Sequence, residues 1–117
     1  MTEINVNRGN SFTGTVTVTE SDGSAKDITN YIIFFTVKKS SNSVEEDDST
    51  ALISKTITSH SNPSGGVSVI TLTTSDTQIN SGSYVYDIKM KNSVGDWSQS
   101  SVADKFNVLG AVTNRYI

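Results

Sequence analysis

The segment spanning residues 75–88 constrains the fold most, because it joins a short polar corner to a strand with two tyrosines on one face. Its first half is rich in turn-forming residues, and its second half alternates with the period of two that is typical of a β-strand. Chains cross between the two sheets of a β-sandwich in this way. Tyr84 directly follows a Ser-Gly-Ser turn, where a tyrosine can hydrogen-bond back to the corner backbone. The sequence therefore predicts a structural corner containing Asp76, Gly82 and Tyr84.

β periodicity also covers most of the remaining chain, and no segment convincingly shows the repeat of a helix. From Phe12 to Thr19, apolar residues and a glycine alternate with four threonines, which predicts a half-buried strand. Further strands are predicted at residues 4–6, 31–38, 52–58, 67–73, 84–90 and 101–108. Seven to eight strands at this spacing indicate an all-β, antiparallel β-sandwich, and the tyrosine corner favours the immunoglobulin-like type.

Length and composition are consistent with one domain over residues 1–117, ending in a short tail from about residue 110. The chain has no cysteine, so it offers no disulfide, thiolate nucleophile or thiolate metal site. With a net charge of −3, we expect no binding of nucleic acid and no attraction to anionic membranes. The sequence has no run long enough to span a bilayer, and its first residues lack signal-peptide features. We expect synthesis and folding in a cytoplasm.

Candidate chemistry is sparse. The acidic run at residues 45–48 lacks the alternating ligand positions of a calcium loop, so we interpret it as a solvated connection. His60 is the sole histidine and is predicted to lie at the surface of a turn. No serine lies in a nucleophile elbow, and Gly65-Gly66 lacks the lysine and spacing of a phosphate-binding loop. We therefore expect no enzyme activity, no cofactor and no metal.

Several apolar side chains are instead candidates for contact with partners. Ile32 and Phe34 make the second face of their strand apolar, which indicates either a covering loop or contact with another subunit. Side-chain alternation predicts that Trp97 and Tyr116 are exposed aromatic rings. They could pack within the protein, contact another subunit or stack on a sugar. The apolar end of the tail adds Ile117 to this set.

A resemblance covers nearly the whole chain in order. The segments that carry it are residues 8–13, 33–40, 51–55, 72–77, 81–89, 105–108 and 112–115. Together they resemble the immunoglobulin-like domain at the N-terminus of baseplate upper proteins of tailed bacteriophages.

This resemblance implies a non-enzymatic structural or assembly protein of a phage particle, in the baseplate, tail, neck or head decoration. Its partners would be other virion proteins, and it would form a homo-oligomer or symmetric assembly. It would be made in the bacterial cytoplasm and located in the virion. The alternative is a carbohydrate-binding or host-adhesion β-sandwich module.

Overall fold

The computed structural model describes residues 3–39 and 51–113, without the side chains of residues 99–103. These residues form seven strands and no helix. The strands are β1 (Ile4–Asn7), β2 (Phe12–Thr17), β3 (Ile32–Lys39), β4 (Ile53–Ile57), β5 (Val67–Leu72), β6 (Gly82–Lys91) and β7 (Trp97–Leu109). The all-β class predicted from the sequence is confirmed.

The strands form two sheets, as expected for a sandwich. The larger sheet has the order β1-β7-β6-β3-β4, and the smaller sheet pairs β2 with β5. All pairings are antiparallel except that of β1 with β7, which is parallel and aligns Val6 with Val108. The larger sheet is therefore mixed at this edge, where the sequence predicts an antiparallel sandwich. The reason is the order of the strands along the chain. After β1 the chain passes to β2 in the smaller sheet, so β1 does not form a hairpin with the strand that follows it and pairs instead with β7.

The core lies between the sheets and is built on β6, which is the central strand of the larger sheet. Alternate residues of β6 are buried, starting with Tyr84 and ending with Met90. Phe35 of β3 and Phe106 of β7 flank Tyr86, with ring centroids 5.4 Å and 6.5 Å from it. The two phenylalanines are 6.2 Å apart in an edge-to-face arrangement. Such pairs are favourable beyond the area that they bury, so these rings fix the relation of three strands.

The corner between β5 and β6 is held by side-chain bonds to backbone. The Tyr84 hydroxyl donates to the Asn80 carbonyl, which is the bond that the sequence pattern predicts. Gly82 opens β6 with a φ of 155°. The buried Thr77 hydroxyl donates to the Asn10 carbonyl over 2.8 Å, and Arg8 Nε donates to the Ile79 carbonyl over 3.1 Å. The corner is therefore tied to the connection between β1 and β2.

Asp76 closes the same corner. Its Oδ2 accepts hydrogen bonds from the Thr73 amide over 2.7 Å and the Thr73 hydroxyl over 3.0 Å. It also forms an ion pair of 2.7 Å with Lys55 Nζ, which explains why a lysine shares the parity of apolar residues in β4. Burial raises the pKa of Asp76, but the hydrogen bonds from Lys55 and Thr73 outweigh it. The pKa therefore lies below its ordinary value of 3.8.

His60 connects the two sheets. Its Nε2 lies 2.7 Å from the Tyr31 carbonyl oxygen, which can only accept, so this nitrogen carries the proton. In the neutral ring Nδ1 then accepts from the hydroxyl of the fully buried Ser68, 2.9 Å away. His60 is half-buried, so its interpretation as a plain surface residue is wrong. The turn composition predicts its place in the chain but not its long-range partners.

Gly66 occupies a position that requires glycine, with a φ of 74°. A Cβ at this position would contact the Val18 carbonyl and lie 2.6 Å from the Lys26 carbonyl oxygen. We expect Gly66→Ala to lower the free energy of unfolding by at least about 2 kcal/mol, from backbone strain plus the clash. Urea unfolding would measure it.

Gly23→Ala is the matched control, because Gly23 has a φ of 89° and nothing within 4 Å of its Cβ position. Gly23→Ala should lower the free energy of unfolding by about 1 kcal/mol, from backbone strain alone. Equal losses for the two variants would contradict the close approach at Gly66.

Asp76→Asn should destabilise the corner at neutral pH by about 2 kcal/mol, because the carboxylate that pairs with Lys55 and accepts from Thr73 is lost. A lowered pKa stabilises the fold fully above the unfolded value and loses that contribution as pH falls through the folded value. The difference between wild type and variant should therefore be constant above about pH 5 and shrink below pH 3.8. Urea unfolding across pH would show this, with exposed Asp22→Asn as the weaker control. A difference independent of pH would contradict it.

Candidate interaction surface

The outer face of the larger sheet carries an unusual set of apolar side chains. Inward alternation of Ile33, Phe35 and Val37 leaves Ile32 and Phe34 on the outside of β3. In the register of the sheet, Ile32 pairs with Lys91 of β6, and Lys91 pairs with Trp97 of β7. Three of the five residues predicted as contact anchors therefore come together on one face.

Phe34 and Trp97 stack on each other across β6. Their ring centroids are 4.9 Å apart and their planes are inclined by 29°. The Lys91 ammonium lies 5.6 Å from the centroid of the Trp97 ring, within the range of a cation–π interaction. Trp97 nevertheless remains 55% exposed. We call Ile32, Phe34 and Trp97 the aromatic patch.

The hairpin between β6 and β7 fixes the position of Trp97. Asn92 Oδ1 accepts from the Val94 amide over 3.1 Å and from the Asp96 amide over 2.9 Å. The Asn92 amide donates to the Asp96 carbonyl over 2.9 Å, and Gly95 provides the turn with a φ of 93°. Trp97 follows directly, so a well-bonded turn places the exposed ring.

Two register shifts in the β6–β7 pair decide which way Trp97 faces. They lie between Tyr86 and Ile88 and between Ile88 and Lys89. Each shift adds an unpaired residue to β7 and inverts the phase of its side chains. Because there are two, the inversions cancel, and Trp97 lies on the outer face while Phe106 lies in the core.

The other predicted site residues do not join the aromatic patch. Tyr116 and Ile117 lie outside the described residues, so their role as anchors stays a prediction. The acidic run at residues 45–48 also lies outside them. Asp76, Gly82 and Tyr84 form the corner described above and serve the fold.

A cavity of about 210 Å³ lies between the sheets, and the sequence gives no signal for it. It is lined by residues of both sheets, namely Ile4, Phe12, Gly14, Thr15, Val16, Phe35, Ile70, Tyr86 and Ile88. Burial raises the pKa of Tyr86, and the nearby Asp104 charge adds to that effect.

The described residues provide few groups for chemistry. Across residues 3–39 and 51–113, no three His, Cys, Asp or Glu side chains come together as metal ligands. In the same part of the chain no helix has the length and apolarity needed to cross a membrane. No family model, curated protein or solved structure matches this chain.

The Phe34–Trp97 stack should be measurable as a coupling free energy. In a double-mutant cycle of Phe34→Leu and Trp97→Leu, we expect a coupling of about 0.5–1 kcal/mol, because the rings stack at a partly exposed site. Urea unfolding followed by circular dichroism would measure it. The matched cycle of Phe34→Leu with Val94→Ala, in the adjacent hairpin, should show coupling below about 0.3 kcal/mol. Zero coupling in the first cycle would contradict the stack.

Proposed function

We propose that this chain is a non-enzymatic structural or assembly module that acts through protein–protein contacts made by the aromatic patch. The observation that carries the proposal is the stacked Phe34–Trp97 pair on the outside of the larger sheet. An antiparallel sheet with one solvated face normally alternates apolar inside and polar outside. This face departs from that pattern at Ile32, Phe34 and Trp97.

The composition of the aromatic patch supports a role in binding proteins. Tryptophan is enriched among residues that dominate interface energies, and such residues gain most when neighbouring contacts exclude water. Trp97 is held by a bonded hairpin and by Phe34, so little side-chain entropy remains to be lost on binding. A rigid aromatic anchor of this kind suits stable assembly.

The setting that we propose is a tailed bacteriophage particle, in the baseplate, tail, neck or head decoration, with other virion proteins as partners. The support is the resemblance in sequence, together with a sandwich that has a tyrosine corner of the immunoglobulin-like kind. The chain would be made in the host cytoplasm, reside in the virion and self-associate into a symmetric assembly.

One observation favours a carbohydrate-binding module as the second candidate. Trp97 is 55% exposed, and two exposed serines are close to it in the chain, Ser93 in the hairpin turn and Ser98 in β7. Sugars stack on such rings. Phe34 already covers part of the Trp97 ring, however, which leaves less of it for a sugar.

Light scattering across a concentration series tests the proposal. We expect the wild type to form a defined oligomer and Trp97→Ser to weaken association at least tenfold, because the exposed ring is lost. Val112→Ser is the matched control, since Val112 is fully exposed but lies outside the aromatic patch. It should associate as the wild type does.

Two outcomes would contradict assembly through this patch. One is a wild type that stays monomeric at every concentration. The other is an oligomer that Trp97→Ser leaves unchanged. A monomer that binds a glycan array, with binding lost in Trp97→Ala, would establish the carbohydrate-binding alternative instead.

A further inference from the structure

The face that carries the aromatic patch is also basic. The register of the larger sheet places four lysines on its outer side, at Lys38, Lys89, Lys91 and Lys105. Each of these lysines is adjacent in its strand to a buried core residue, namely Val37, Ile88, Met90 or Phe106, so its side chain points to the outer side. Asp87 of β6 is an acidic residue whose position in the register lies among these four lysines. We call these residues, together with the aromatic patch, the lysine–aromatic face.

This charge opposes that of the rest of the chain. Four lysines and one aspartate give the lysine–aromatic face a formal charge of +3. Outside the face, residues 3–39 and 51–113 contain seven carboxylates and four cations, which is a formal charge of −3. Two carboxylates border the face, Glu3 bonded to the Asn107 amide and Asp96 in the hairpin. Within the described residues, positive charge is therefore concentrated on this face and negative charge on the other surfaces.

Part of the negative charge lies on the connection between β2 and β3. Glu20, Asp22 and Asp27 are all exposed there, with Lys26 paired to Glu20 over 3.3 Å. Hydrogen bonds from Ser24 lower the pKa of Asp22, and hydrogen bonds from Thr29 lower that of Asp27. Both carboxylates stay ionised at neutral pH.

We infer that the lysine–aromatic face docks on an acidic surface of a second copy of this chain, so that copies associate head to tail. The inference rests on the proposed function and adds the identity of the partner surface. Two copies that met through the same face would place one set of lysines against another, and like charges opposed across an interface are unfavourable. Contact with the connection between β2 and β3 of the second copy, where Glu20, Asp22 and Asp27 are exposed, removes that repulsion.

Head-to-tail contact has a geometric consequence. In a head-to-tail dimer, the lysine–aromatic face of one copy and the acidic surface of the other copy remain unoccupied. Further copies can therefore add until the assembly closes into a ring or grows as an open array. A face-to-face interface would stop at two copies.

A mixing experiment distinguishes the two arrangements. The double variant Phe34→Ser with Trp97→Ser removes the docking face but keeps the acidic acceptor. Immobilised wild type should capture this tagged variant nearly as well as tagged wild type, whereas the immobilised variant should not capture itself. The variant's circular dichroism and urea unfolding would establish that it is folded.

Charge reversal gives a second test that does not alter the aromatic residues. Lys89→Glu should weaken self-association at least tenfold, because Lys89 is exposed on the docking face. Lys39→Glu is the matched control with the same change in net charge. Lys39 follows Lys38 at the end of β3 with opposite parity, so we expect less than a threefold effect. Raising the salt concentration from 50 to 500 mM should weaken wild-type association several-fold.

The outcomes separate this inference from the proposed function. If the wild type associates but does not capture the double variant, the interface is face to face and the inference is wrong, while assembly through the aromatic patch stands. If the wild type never associates, the proposed function fails and this inference fails with it. If a fluorescent 12-nucleotide single strand binds the wild type through Lys89 but leaves self-association unchanged, the lysine–aromatic face is not the docking face and the inference is overturned.

Discussion

The structure depends on the packing of Tyr86 between Phe35 and Phe106, which sets the register of the three central strands of the larger sheet. A slip of one residue in any of these strands would exchange its inner and outer faces. The same alternation that buries these rings also presents Phe34 and Lys89 outward. The same strand register therefore determines which residues lie in the core and which lie on the candidate surface, so a change in register would alter both.

Connections between the sheets complete this arrangement. Thr77 and Arg8 bind the β5–β6 corner to the β1–β2 connection, and His60 joins the start of β3 to Ser68 of β5. Gly66 lets the backbone of one turn pass close to Val18 and Lys26. In a chain without cysteine, these hydrogen bonds connect segments that lie far apart in the sequence.

Local patterns in the sequence predict the all-β class, the strand at residues 84–90 and the bond from Tyr84. Each depends on side-chain alternation or on turn residues that are adjacent in the chain. The parallel edge, the two shifts in β7, the partners of His60 and the grouping of lysines depend on pairings between distant segments. The pattern places Ile32 and Phe34 on an apolar outer face, but only the register shows that Trp97 stacks there.

The two shifts in β7 make the strand unequally tolerant of changes in its length. Losing or gaining one residue between Trp97 and Phe106 would leave an odd number of inversions, turning the tryptophan toward the core or the phenylalanine toward solvent. A change of two residues would keep both in place. Insertions and deletions that accumulate here during evolution should therefore come in pairs, while the hairpin loop, which lies outside the paired region, can vary one residue at a time.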